Sequence, residues 1–158
     1  MTPIETPIGR FHALFSGSGL RRLYFPGEAE APLPVGARLA SPSLGGELRR
    51  LELELNEYLK GSLQRFSVPL DLQGTAFQRE VWLRVLEIPY GRTRTYSEVA
   101  RAMGRPLAAR AVGAANGANP TPILVPCHRL VGASGDLTGY GGGVELKRWL
   151  LGLEAGAG

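Results

Sequence analysis

The sequence predicts an α/β N-terminal domain with a small antiparallel sheet, followed by a mostly helical C-terminal domain containing a helix-turn-helix. Three observations carry this. Residues 10–15 and 20–25 are short, roughly alternating segments around Ser16-Gly17-Ser18-Gly19 and read as a hairpin. A single amphipathic segment follows at 48–59. Beyond Asp71 the apolar spacing becomes helical in four separate stretches. The expected domains are therefore 1–71 and 72–158.

Each element has a local reason. Residues 26–46 are rich in Pro, Gly and Ala and read mostly as loop. In 48–59, Leu48, Leu51, Leu55 and Leu59 share a face, with Arg49, Arg50, Glu52 and Glu57 on others, and Gly61-Ser62 stops the helix. Residues 66–70 read as an edge strand or extended linker, because Pro69 cannot donate to a ladder. The next helix places Phe77, Val81, Trp82, Val85 and Leu86 on one stripe, capped by Thr75 and ended by Pro89-Tyr90-Gly91. Thr95 and Glu98 form a capping box for a helix from Tyr96 to about Met103. After a corner at Gly104-Arg105, Pro106 suits the first turn of a helix continuing from Leu107 to about Ala115. The two short helices form the expected helix-turn-helix.

Composition excludes several classes. The chain has 158 residues, 44 % of them hydrophobic, which is ordinary for a folded protein. No apolar run approaches the ~18 residues of a membrane helix, so no membrane partner is expected. One cysteine and two histidines exclude a disulfide framework and a cysteine-based zinc cluster, and no metal is expected. The opening Met-Thr-Pro-Ile-Glu lacks a basic region followed by an apolar stretch, and the expected location is cytoplasmic.

The charge is uneven. Residues 1–71 hold eight basic and eight acidic side chains, whereas 72–158 hold ten and six and so carry the whole net charge of +4. Within 88–135, Arg92, Arg94, Arg101, Arg105, Arg110 and Arg129 face only Glu98. Such an excess suits a polyanion, although arginines also simply solubilise a surface. The helix around Ala108, Ala109, Ala111, Gly113, Ala114 and Ala115 has one long cation, Arg110. It lacks the polar side chains that read a major groove. Its smooth profile suits a minor groove, where sequence is poorly encoded, or close packing on a neighbouring helix. An RNA-binding reading lacks the aromatic-rich sheet pattern used for base stacking.

The chemistry centres on Cys127, in Val125-Pro126-Cys127-His128-Arg129. A lone buried cysteine is commonly an inert small hydrophobe. Here His128 and Arg129 are the residue types that generate a thiolate. On an extended chain adjacent side chains point to opposite faces, so His128 acts through a water or a bent backbone. The pairing predicts a Cys127 thiol of lowered pKa and a His128 near its ordinary value.

These residues resemble a known family. Pro126-Cys127-His128-Arg129 is similar to the active-site signature of the O6-alkylguanine-DNA alkyltransferases, or methylated-DNA–protein-cysteine methyltransferases. Ile88-Pro89-Tyr90-Gly91 with Thr95-Tyr96 resembles the approach to their first DNA-binding helix. Arg110-Ala111-Val112-Gly113-Ala114-Ala115 with Gly117-Ala118-Asn119-Pro120 resembles the recognition helix and asparagine turn. Leu137-Thr138-Gly139-Tyr140-Gly141-Gly142-Gly143 resembles the loop beside the alkyl-base pocket. Lys147-Arg148-Trp149-Leu150-Leu151 with Glu154 resembles the C-terminal helix. The resemblance is close over 72–154 and looser before it.

The resemblance implies irreversible, single-turnover repair, in which an alkyl group moves from O6 of guanine in duplex DNA to Cys127, with O4 of thymine as a second candidate donor. His128 is then the base, acting through a water, and Glu154 orients it. Tyr96 assists the leaving guanine and Asn119 braces the turn. DNA contacts are implied for Arg110, which takes the space of the extruded nucleotide, and for Thr95, Ala109, Ala111, Arg105 and Arg129. The alkyl-base pocket is implied at Val125, Pro122, Tyr140, Gly141 and Gly142. The implied partner is double-stranded DNA carrying O6-alkylguanine, bound through its minor groove by a monomer. No cofactor is expected, because the damaged base is itself the alkyl donor. Non-enzymatic relatives that bind alkylated DNA replace the cysteine, and a damage sensor of that type is the competing class.

Overall fold

The computed structural model describes residues 2–28, 45–137, 140 and 142–156. The chain divides into two compact units, residues 1–73 and 74–158.

The first unit holds a three-stranded antiparallel sheet in the order β1 (Thr2–Thr6), β2 (Gly9–Ser16), β3 (Gly19–Tyr24). The hairpin of β2 and β3 is the one read from the sequence. β1 is an addition to it. Only Ile4 of that strand is fully buried, and Pro3 with the flanking polar residues hides the strand pattern. In β2 the register shifts between Leu14 and Phe15. The extra residue belongs to β3, where Arg21 has no partner in β2 and Arg21 and Arg22 are exposed in succession.

Helix α1 (Gly45–Leu59) covers the sheet, with Leu51, Leu55 and Tyr58 fully buried. Its buried Glu54 accepts from the backbone N–H of Ser67 at 2.7 Å and from the Ser67 hydroxyl. The extended segment that follows bonds to β3: Leu20 donates to the Pro69 carbonyl and Asp71 to the Leu20 carbonyl, both at 2.8 Å. Pro69 therefore contributes only its carbonyl, as a proline must. A Cβ at Gly19 would lie 2.5 Å from that carbonyl oxygen, so only glycine permits the approach. The expected loop over 26–46 lies, from 29 to 44, outside the described residues.

The second unit runs α2 (Ala76–Leu86), β4 (Arg94–Thr95), α3 (Tyr96–Ala102), α4 (Ala109–Gly117), a 3-10 turn (Cys127–Arg129), β5 (Leu130–Val131) and α5 (Val144–Gly156). Both predicted caps form as capping boxes, Thr75 with Gln78 and Thr95 with Glu98. Trp82 is buried and its indole Nε1–H donates to the Ala115 carbonyl at 2.8 Å, fastening α2 to α4. The parallel pairing of Arg94 with Leu130 and Thr95 with Val131 draws the chain after Cys127 alongside the start of α3.

The helix-turn-helix is α3 and α4, with one correction to its second helix. Pro106 does not open α4. The Ala108 N–H donates to the Arg105 carbonyl at 2.9 Å, making 105–108 a turn with Pro106 and Leu107 at its centre, and α4 begins at Ala109. Proline's fixed φ suits the second position of a turn as well as the first turn of a helix, and the sequence does not distinguish the two. No described helix is long and apolar enough to cross a membrane.

Candidate active site

The site is built on a loop that enters the interior. Every residue from Thr121 to Val131 is buried, so the backbone polar groups there need internal partners. Asn119 supplies two: its Nδ2 donates to the Val125 carbonyl at 2.9 Å, and its Oδ1 accepts from the Thr121 N–H at 3.0 Å. Ile123 sits at φ 73°, a region disfavoured for a β-branched residue. Pro126 has φ −77° and ψ 64°, and the Cys127 N–H donates to the Val125 carbonyl at 2.7 Å. Those angles define an inverse γ-turn, which leads directly into the 3-10 turn of Cys127, His128 and Arg129. The bent backbone, one of the two alternatives open at Cys127, is the conformation found. The backbone bends, and all three side chains turn inward.

The carboxylate of Glu154, on α5, gathers four donors. Its Oε2 lies 2.7 Å from Nε2 of His128 and 2.9 Å from Nη2 of Arg129. Its Oε1 accepts from Nε of Arg129 at 2.8 Å and from the Gly91 N–H at 3.1 Å. Gly91 adopts φ 78°, which glycine takes without strain. Burial holds the His128 imidazole below its ordinary pKa, with Glu154 opposing that shift and Arg129 and Lys147 adding to it. A neutral imidazole beside a carboxylate donates from Nε2, so Nδ1 carries the basic lone pair.

Burial pushes the Cys127 thiol up, opposed by the Asn119 side chain, the positive charge of Lys147 and the Tyr140 side chain. The expected lowering of this pKa is thus reversed. With Cys127 only 5 % exposed, its thiolate loses more from desolvation than its neighbours return. The expectation for His128 also shifts, downward and for the same reason.

Several expected site residues converge here: Cys127, His128, Glu154, Asn119 and Tyr140, with Val125 and Pro122 buried on the same loop. Gly142 is half-buried, whereas Gly141 lies outside the described residues. Tyr96, half-buried on the first turn of α3, faces α4, since a Cβ at Gly113 would meet its ring at 3.8 Å.

The helix-turn-helix displays Arg110 and Ala111 exposed and Ala109 half-buried on α4, with Arg105 exposed in the turn over the Phe77 ring at 5.6 Å. Thr95 is half-buried, and its hydroxyl accepts from the Glu98 N–H at 3.1 Å. Arg129 departs from its expected place among the DNA contacts. Its guanidinium is buried, paired with Glu154, bonded through Nη1 to the Ile88 carbonyl at 2.7 Å, and set against the Tyr90 ring. Its donors go to an internal carboxylate and an internal carbonyl, not to an external phosphate.

Two site residues were not assigned a role from the sequence. Lys147 is fully buried, its Nζ donates to the Leu130 carbonyl at 2.6 Å, and its charge acts on Cys127. Asn116, at the end of α4, donates from Nδ2 to the Cys127 carbonyl at 3.1 Å. A signal existed for the first: Lys147, Leu150 and Glu154 recur at helical spacing and form the buried stripe of α5. Among the described residues no cluster of His, Cys, Asp and Glu suits a metal ion.

The chain matches known proteins in both sequence and structure. Residues 76–156 match the family model described as 6-O-methylguanine DNA methyltransferase, DNA binding domain. The chain is 61 % identical over 101 residues to a methylated-DNA–protein-cysteine methyltransferase of Mycobacterium bovis, a match covering 64 % of this chain and 61 % of the relative. It is 45 % identical over 151 residues to the Mycobacterium leprae protein of the same name, covering 96 % of this chain and 89 % of that one. The solved structure of Mycobacterium tuberculosis OGT in complex with DNA superposes with a TM-score of 0.83 at 46 % identity, covering 98 % of this chain and 92 % of that chain.

Proposed function

Since the chain belongs to the methylated-DNA–protein-cysteine methyltransferase family, we propose that it repairs DNA by moving an alkyl group from O6 of guanine onto Sγ of Cys127, once and irreversibly. The observation that carries this reading is the buried Cys127, His128 and Glu154 set in the same compact unit as the helix-turn-helix.

The resting thiol is protonated, so attack requires its proton to leave. His128 takes it at Nδ1, through a bridging water, while Glu154 steadies the imidazolium that forms. Lys147 and the Asn119 and Tyr140 side chains favour the developing thiolate. Sulfur bonds to the alkyl carbon, the carbon–O6 bond breaks, and its electron pair passes to the guanine. The guanine gains a proton as it leaves, aided by the Tyr96 hydroxyl, so the net change exchanges the thiol proton for the alkyl group. The thioether has no easy leaving group and the chain has no second thiol. The protein is therefore consumed, and no cofactor enters the scheme.

A sulfur this buried cannot meet an alkyl carbon inside stacked DNA, so the base must be extruded. The small residues of α4 suit close approach to the minor groove, and Arg110 occupies the gap. Pro122, Val125, Tyr140 and Gly142 line the pocket of the extruded base. The protein acts as a monomer in the cytoplasm. Intact-protein mass spectrometry after incubation with an O6-methylguanine duplex tests the reading. A gain of one CH2 on Cys127, with restored guanine, is the expected result; an unmodified Cys127 with a reduced, folded protein would overturn it in favour of a damage sensor.

A further inference from the structure

A solitary exposed leucine is ordinary on a protein surface, but Leu107 is unusual in degree and place. It is 99 % exposed and sits in the turn between the two helices of the helix-turn-helix. An apolar residue just before a helix cap commonly folds back onto the fourth helical residue. For α4, capped by Ala108, those positions are Leu107 and Val112. Val112 is fully buried while Leu107 stands in solvent, so this contact is forgone. Pro106, immediately before it in the turn, has a fixed φ, which stiffens the base of the protrusion.

The surroundings indicate what covers it. No acidic residue occurs between Glu98 and Asp136. Arg101, Arg105 and Arg110 are all exposed, and Arg110 follows Leu107 by three residues on the first turn of α4. An apolar tip among guanidinium groups complements a duplex, with phosphates for the cations and sugar and base faces for the leucine.

We propose that Leu107 is an apolar wedge that packs into the minor groove at the step beside the displaced nucleotide and eases the unstacking that precedes alkyl transfer. The proposal rests on the alkyl-transfer reading above and adds a second probing side chain to Arg110. Because an apolar contact releases no counterion, it contributes to duplex engagement without contributing to its salt dependence.

The test uses the full chain with Leu107→Ser and Leu107→Met. Single-turnover transfer is measured on an O6-methylguanine duplex and on free O6-benzylguanine, with duplex affinity measured across a salt series. Leu107→Ser should lower the duplex-to-free-base rate ratio about tenfold with an unaltered salt slope, and Leu107→Met should restore most of that ratio. A wild-type ratio in Leu107→Ser, or a salt slope reduced as a lost phosphate contact would reduce it, overturns the proposal. Wild-type protein in the same assays separates the two failures: if it never alkylates Cys127, the repair reading itself is wrong.

Discussion

Nε2 of His128 lies 2.7 Å from Oε2 of Glu154, with both side chains buried. The same carboxylate is ion-paired to Arg129 through both its oxygens. Glu154 therefore fixes the imidazole and also neutralises a buried guanidinium. Glu154→Gln keeps the shape but removes the charge. We expect alkyl transfer to slow about a hundredfold, the scale of an impaired general base, and stability to fall by about 3 kcal/mol, the scale of breaking a buried pair. Single-turnover kinetics and a denaturant midpoint check both. An unchanged rate with a lowered midpoint would leave Glu154 a structural residue only.

The raised Cys127 and lowered His128 pKa values set opposite limits of pH. The folded thiol holds its proton more tightly than the unfolded one. Stability therefore declines as pH rises past the ordinary thiol range, about 8.5. The folded imidazole binds its proton less tightly than the unfolded one, so stability also declines as pH falls below about 6.5. Reactivity follows the thiolate. Alkylation of Cys127 by iodoacetamide in the free protein should climb with pH beyond about 8.5. A plateau already reached below neutral pH would mean that the resting state is a thiolate and that His128 has no proton to take.

Parts of this site were legible in the sequence because they rest on local rules. Thr75 and Thr95 each precede a Gln or Glu by three residues, and both capping boxes form. Cys127 and His128 follow from residue type and adjacency, Glu154 from the family resemblance, and the fold brings His128 and Glu154 into contact across 26 residues of sequence. What escaped depends on tertiary context. Arg129 reads as one more surface cation until Glu154 and the Ile88 carbonyl are seen to take its donors. The direction of the thiol shift depends on burial, which charged neighbours in the sequence do not report. Strand β1 escaped because one buried side chain, Ile4, carries its inward face.

Arg110 separates DNA engagement from chemistry. It is exposed on the first turn of α4, whereas the candidate nucleophile is buried in the 3-10 turn. Ala109 and Ala111 beside it are too short to fill the place of an extruded nucleotide. A simple phosphate contact is the alternative role, as for Arg101 or Arg105. The two roles differ in which substrate suffers. Loss of a phosphate contact weakens binding to all duplexes alike and lowers the salt dependence by about one unit. Loss of a gap-filling side chain slows repair of a stacked base and spares a base that needs no extrusion. Arg110→Ala should therefore react much more slowly than wild type with a methylated duplex, by about a hundredfold given the few kcal/mol of unstacking, while its reaction with free O6-benzylguanine changes little. Equal losses on both substrates would mean that the substitution had disturbed the Cys127 environment, and the gap-filling role would have to be abandoned.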